Sequence, residues 1–131
     1  MTIAARKPYQ PVVAYISTTI NYNTPNAATA DSVQVGTLPA GATILGCLVN
    51  VTTAFNAGTT NVVIVGTAAD DDVYVAAGDV AEGSTGATTV TRALGNKPSA
   101  DTPVYVQYDE TGTAATAGSA DIILFYAPSI V

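Results

Sequence analysis

The chain has 131 residues, the length of one domain and enough to bury a core without disulfide staples. Ten anions oppose four cations, for a net charge of −6, and two of the cations, Arg6 and Lys7, lie near the start, so the body lacks the basic cluster that nucleic-acid binding needs. With no histidine and a single cysteine, Ser–His–Asp and Cys–His catalysis have no basis, common zinc sites lack ligands, and no apolar run is long enough for a membrane-spanning helix.

The first residues place only four apolar side chains before Arg6, which is not the pattern of a signal peptide. Residues 1–11 carry Pro8 and Pro11 and read as an extended arm. Residues 12–22 alternate: Val12, Ala14, Ile16, Ile20 and Tyr22 share one face, with Thr18 the exception. Ser17, Thr19 and Asn21 share the other, as in a half-buried strand. A polar loop over 23–31 leads to a short strand at 32–35. Leu38-Pro39-Ala40-Gly41-Ala42 is a turn, because Pro presets φ and Gly permits positive φ.

The strand predicted over 43–53 puts Leu45, Cys47, Val49 and Val51 on one face. Residues 61–66 form an unbroken Val- and Ile-rich run, too short for a helix and therefore a buried strand. Short strands are expected at 73–75 and 88–91, and one helical turn at 79–82. Val104, Val106 and Tyr108 share a face of the strand at 104–109. A loop of small residues over 111–118 precedes the last strand, 121–127, which Pro128 ends. About eight short strands with regular turn signals predict an all-β chain: a jelly-roll-like β-sandwich over 12–131 behind the arm at 1–11.

Apolar residues make up 48% and charged residues only 11%. Soluble domains are about a quarter charged, so Thr, Ser, Asn, Gly and Ala must cover this surface. Such a surface is cheap to desolvate against a partner. Asp70-Asp71-Asp72 is the one charge run; it fits a solvated loop rim, and the alternative is a hard-cation site. Asp109-Glu110 reads as a strand end entering a loop rather than a glycosidase carboxylate pair, which needs two carboxylates across a cleft. Cys47 sits in an apolar strand and reads as a small buried hydrophobe. Asn50-Val51-Thr52 matches a glycosylation pattern by chance. Seven of the nine aromatics are tyrosines, and Tyr15 and Tyr105 fall on the more polar faces of their strands, where a ring with a wet edge suits an interface.

Two stretches resemble a known family. One is Leu38-Pro39-Ala40-Gly41-Ala42 followed by 44–51 and Thr53-Ala54-Phe55-Asn56. The other is Thr116-Ala117-Gly118-Ser119-Ala120-Asp121 leading into 122–126 and Ala127-Pro128. In style, over about residues 30–128, the chain is similar to the jelly-roll decoration, or cement, proteins of tailed-bacteriophage capsids. The resemblance implies a non-enzymatic virion protein, made in the host cytoplasm and bound to the outer capsid surface. It implies a homotrimer that partners the major capsid protein, with no cofactor and no catalytic residues. The arm would then be a clamp, and the expected contact residues are Arg6, Lys7, Pro8, Tyr9, Pro11, Tyr15 and Tyr105. Competing readings are a carbohydrate-binding sandwich of a fibre or adhesin, disfavoured by the lack of tryptophan, and another head-fibre or tail component.

Overall fold

The computed structural model describes residues 13–24 and 33–129. The arm at 1–11 lies outside the described residues, as does most of the loop before the second strand. Seven strands form two antiparallel sheets: β1 (Ala14–Asn21), β2 (Val33–Leu38), β3 (Thr43–Thr53), β4 (Thr60–Gly66), β5 (Gly86–Val90), β6 (Thr102–Thr111) and β7 (Ser119–Ala127). One sheet has the order β1-β7-β3-β5 and the other β2-β6-β4. This is jelly-roll connectivity, in which the chain crosses between the two sheets from strand to strand.

Alternation explains most of the packing. Ile20, Cys47, Val49, Val51, Ile122 and Leu124 point inward from the four-stranded sheet. Leu38, Val63, Val65, Val104 and Val106 meet them from the three-stranded sheet. Each of these side chains is at most 2% exposed, so the core is dry and continuous.

The strand expected at 73–75 is reduced to one bridge, Val65↔Val75. The cause lies just before it. Gly66 is packed so tightly under the Asp70–Asp71 main chain that a Cβ there would meet the Asp71 carbonyl oxygen at 2.5 Å. The turn that follows, with Thr67 N–H donating to the Asp70 carbonyl at 2.8 Å, returns the chain to β4, where it makes the single bridge at Val65↔Val75. The rest of that β4 edge is served by a side chain. Glu82, 7% exposed, accepts the Val63 N–H through Oε1 at 2.9 Å, and its own carbonyl accepts the Phe55 N–H at 2.9 Å. Among the described residues the expected eight strands are therefore seven, with a carboxyl filling part of the missing place.

No helical turn forms at 79–82. Instead, turns close at Ala76–Asp79 and Ala81–Ser84, with Gly78 at φ +88°. Asp79 holds the first one by accepting the Ala76 N–H at 2.9 Å and by pairing with Arg92 at 2.7 Å.

Leu45 was expected on the core face but is 37% exposed. The β3–β7 register slips between Ile44↔Tyr126 and Gly46↔Phe125, so Leu45 is the extra residue of a β-bulge. Gly46 supports it at φ +154°, a backbone state that costs glycine little. The bulge lets Ile44 and Cys47 both face inward.

Candidate interaction surface

The described residues offer little chemistry. Cys47 is 1% exposed, and burial pushes its thiol up to about 12, so it is not a nucleophile near neutral pH. Tyr108 is buried beside the Glu110 carboxylate; both effects hold its hydroxyl protonated well above the usual phenol range. That hydroxyl lies 2.8 Å from Asn61 Oδ1 and 2.9 Å from Glu110 Oε2, with one proton to share. Glu110 also accepts the Ala115 N–H at 3.1 Å. Its role is to tie a loop down, in keeping with the strand-end reading of Asp109-Glu110.

Asp70, Asp71 and Asp72 place carboxylate oxygens within 4.8 Å of one another. A hydrogen bond with Asp70, then desolvation and the charges of Asp70 and Asp71, hold the Asp72 carboxyl above its ordinary range. A carboxyl with a raised folded pKa keeps a proton that the unfolded chain would release. Stability therefore falls as pH rises through the window between the two values. Asp72→Asn should raise the thermal midpoint at neutral pH and leave it unchanged at pH below the carboxylate range. Melting curves at both pH values check this; an equal offset at both would show that charge repulsion is not the cause.

The larger feature is the outer face of the four-stranded sheet. Register sets it in rows: Tyr15, Phe125 and Gly46 in one, Ser17, Ile123 and Leu48 in the next, then Thr19, Asp121 and Asn50. None of these side chains is cationic, and Phe125, Ile123 and Leu48 are half-exposed. Tyr15 is 65% exposed and Val13, just before the strand, 50%. An open groove of about 250 Å³ runs along the β1 edge, lined by Ser17, Thr18, Thr19, Asp121 and Ile123. Within it the Thr19 hydroxyl donates to Asp121 Oδ1 at 2.7 Å.

Of the expected contact residues, Tyr15 lies on this face. Tyr105 does not: it is half-buried on β6, opposite Gln34 and Gly66 in the other sheet. The sandwich separates the two rather than joining them in one patch. Arg6, Lys7, Pro8, Tyr9 and Pro11 lie outside the described residues.

The two stretches that carry the family resemblance do meet. Phe55 packs on Gly118, and Asn56 Oδ1 accepts the Thr116 and Ala117 N–H groups at 2.8 and 3.0 Å. Asn56 Nδ2 donates to Thr116 Oγ1 at 2.9 Å. The Phe55 ring also lies 4.6 Å from that of Tyr108. The two stretches thus form a loop clasp that closes one end of the sandwich. Sequence reasoning missed the pairing of Asn56 with Thr116 and the role of Glu82. No local signal marks Glu82, which is followed by the polar stretch Gly83-Ser84-Thr85.

No protein-family model and no curated protein matches the chain. Solved structures do. A chain of the cyanophage Pam1 capsid asymmetric unit superposes with a TM-score of 0.74 at 23% identity, over 98% of this chain and 94% of that one. A chain of the acid-stable capsid of Helicobacter pylori bacteriophage KHP30 gives 0.66 at 17% identity, over 92% of each. A chain of the capsid of Ralstonia phage GP4 gives 0.56 at 18% identity, over 100% of this chain and 92% of that one. At these identities the likeness is one of fold.

Proposed function

We propose that this chain is a non-enzymatic structural protein of a tailed-phage virion, bound to the outer surface of the capsid and reinforcing it. The observation that carries the reading is whole-chain likeness to chains of three phage capsids. At least 92% of each of those chains is covered, so they too are small single sandwiches rather than parts of a larger shell protein. The physics of the surface agrees. A face of Thr, Ser, Asn and half-exposed apolar side chains loses little solvation on contact. Many copies on one shell multiply modest contacts, and binding to the assembled shell stabilises it by mass action. The partner in this reading is the major capsid protein.

The test is co-sedimentation of the purified protein with capsids that lack it, followed by heating. Retention on the capsid and a higher temperature of DNA release would support the proposal. Protein left in the supernatant, with unchanged release, would overturn it. The arm is the proposed clamp, since it holds two of the four cations on a chain of net charge −6. Deleting residues 2–10 should weaken capsid retention by about ten-fold or more while the thermal midpoint stays put, if the arm grips the shell and not its own sandwich. Retention equal to that of the full chain would exclude the clamp.

A further inference from the structure

The fold turns two leucines outward at one spot, on the β5 side of the four-stranded sheet. Leu94 is 62% exposed and Leu45 37%. Leu45 is out because it is the extra residue of the bulge with Gly46. Leu94 is out because Ala93 before it turns into the core, at 8% exposed, and Gly95 after it takes φ +85°. The two are neighbours. Gly95 N–H donates to the Ile44 carbonyl at 2.8 Å, and Ile44 N–H donates to the Asn96 carbonyl at 2.9 Å. This pairing carries the line of β5 along β3 beyond Val90↔Cys47 and sets Leu94 beside Leu45. Phe125, half-exposed and in register with Gly46, extends the apolar strip onto β7.

The main chain around Leu94 is fixed. Leu94 N–H donates to the Thr91 carbonyl at 3.0 Å, Asn96 N–H to the Ala93 carbonyl at 2.9 Å, and Gly41 N–H to the Pro98 carbonyl at 2.8 Å. An apolar side chain on a backbone ordered before contact has little entropy left to lose on contact. Charge adds a direction. Arg92 and Lys97 are the cations among the described residues, and they flank Leu94. Asp79 takes Arg92 at 2.7 Å. Lys97 has no ion-pair partner among the described residues, and Asp101, further along the same loop, accepts the Ala40 N–H at 3.0 Å. On a chain of net charge −6, a cation left open beside an apolar strip suits an acidic partner.

Register also relates the strip to the place where the arm begins. Ile44 pairs with Tyr126, and Tyr126 pairs with Ala14, the first residue of β1. The strip and the root of the arm therefore lie at the same end of the four-stranded sheet, toward its two opposite edges. An arm that grips the shell brings this end of the sandwich down onto it. We infer that the strip is the contact of the sandwich body with the capsid: Leu45, Leu94 and Phe125 seat on an apolar patch of the shell protein, and Lys97 meets a carboxylate at its rim. An apolar centre with a charged rim is the usual anatomy of such a contact. The inference rests on the capsid-decoration reading and adds to it the part of the body that touches the shell. Arm and strip then act as two linked contacts, so either one raises the effective concentration of the other.

The test uses the full chain and capsids that lack it. Leu94→Asp puts a charge into the apolar strip and should weaken capsid retention by about ten-fold or more. Thr85→Asp makes the same charge change at an exposed position near the other end of β5, before Gly86↔Val51, and should leave retention within about two-fold of the natural chain. Lys97→Gln should weaken retention by about three-fold and flatten its dependence on salt. Thermal midpoints of all three should match the natural chain, since each side chain is exposed. Light scattering should give the same mass for the natural chain and for Leu94→Asp. Natural chain left in the supernatant overturns the capsid reading and this inference with it. Leu94→Asp or Lys97→Gln retained like the natural chain, or Thr85→Asp lost as readily as Leu94→Asp, overturns this inference alone. So does a Leu94→Asp chain that falls apart from an assembly the natural chain forms, because the strip would then join copies to one another.

Discussion

Replacing Gly118 with alanine should destabilise the fold by about 3 kcal/mol or more and lower its thermal midpoint by roughly 10 °C. A Cβ at this position would lie inside the ring of Phe55, 2.6 Å from its Cγ, and Phe55 is 2% exposed with no room to retreat. Gly118 also sits at φ +148°, where a side chain adds backbone strain. The two causes separate in a double-mutant cycle with Phe55→Leu. The smaller side chain relieves the clash but not the strain, so the combined loss should be less than the sum. Denaturant unfolding of the three variants measures this. An alanine variant within about 1 kcal/mol of the natural chain would mean that the loop slides aside and the clasp is softer than its geometry states.

The second large effect is expected at Glu82. Glu82→Ala leaves the Val63 N–H of β4 buried without an acceptor and should cost about 2–3 kcal/mol. Glu82→Gln keeps an oxygen in place and should recover most of that, to within about 1 kcal/mol. Hydrogen exchange gives a direct readout, because the Val63 amide should lose protection in the alanine variant and keep it in the glutamine variant. Equal losses in both would assign the effect to packing rather than to the acceptor.

These two sites mark where the fold was legible in the sequence and where it was not. β3 begins and ends where its alternation begins and ends, at Thr43 and Thr53, because one face is solvated and the other buried. Alternation also assumes an unbroken period of two, and the bulge at Leu45–Gly46 breaks it, so Leu45 was placed on the wrong face. Val73 and Val75 carry a strand's composition. Whether they pair depends on the close approach of Gly66 to Asp70 and Asp71, which no local pattern encodes. Glu82 was read as part of a helical turn, because a carboxyl that completes a strand edge nineteen residues earlier in the chain leaves no periodic trace. At the candidate surface, Tyr15 was legible as an aromatic on a polar face. Its separation from Tyr105 was not, since that depends on which sheet each strand joins.

The strand order also sets when the molecule can fold. β1 is the first described strand to leave the ribosome, and its one sheet neighbour, β7, is the last. β7 lies between β1 and β3, so the four-stranded sheet has no middle until residues near 127 have been made. Until then β1 waits unpaired, and each of its contacts with β7 spans about a hundred residues. The sandwich therefore closes only after β7 has emerged, as one long-range event rather than piece by piece.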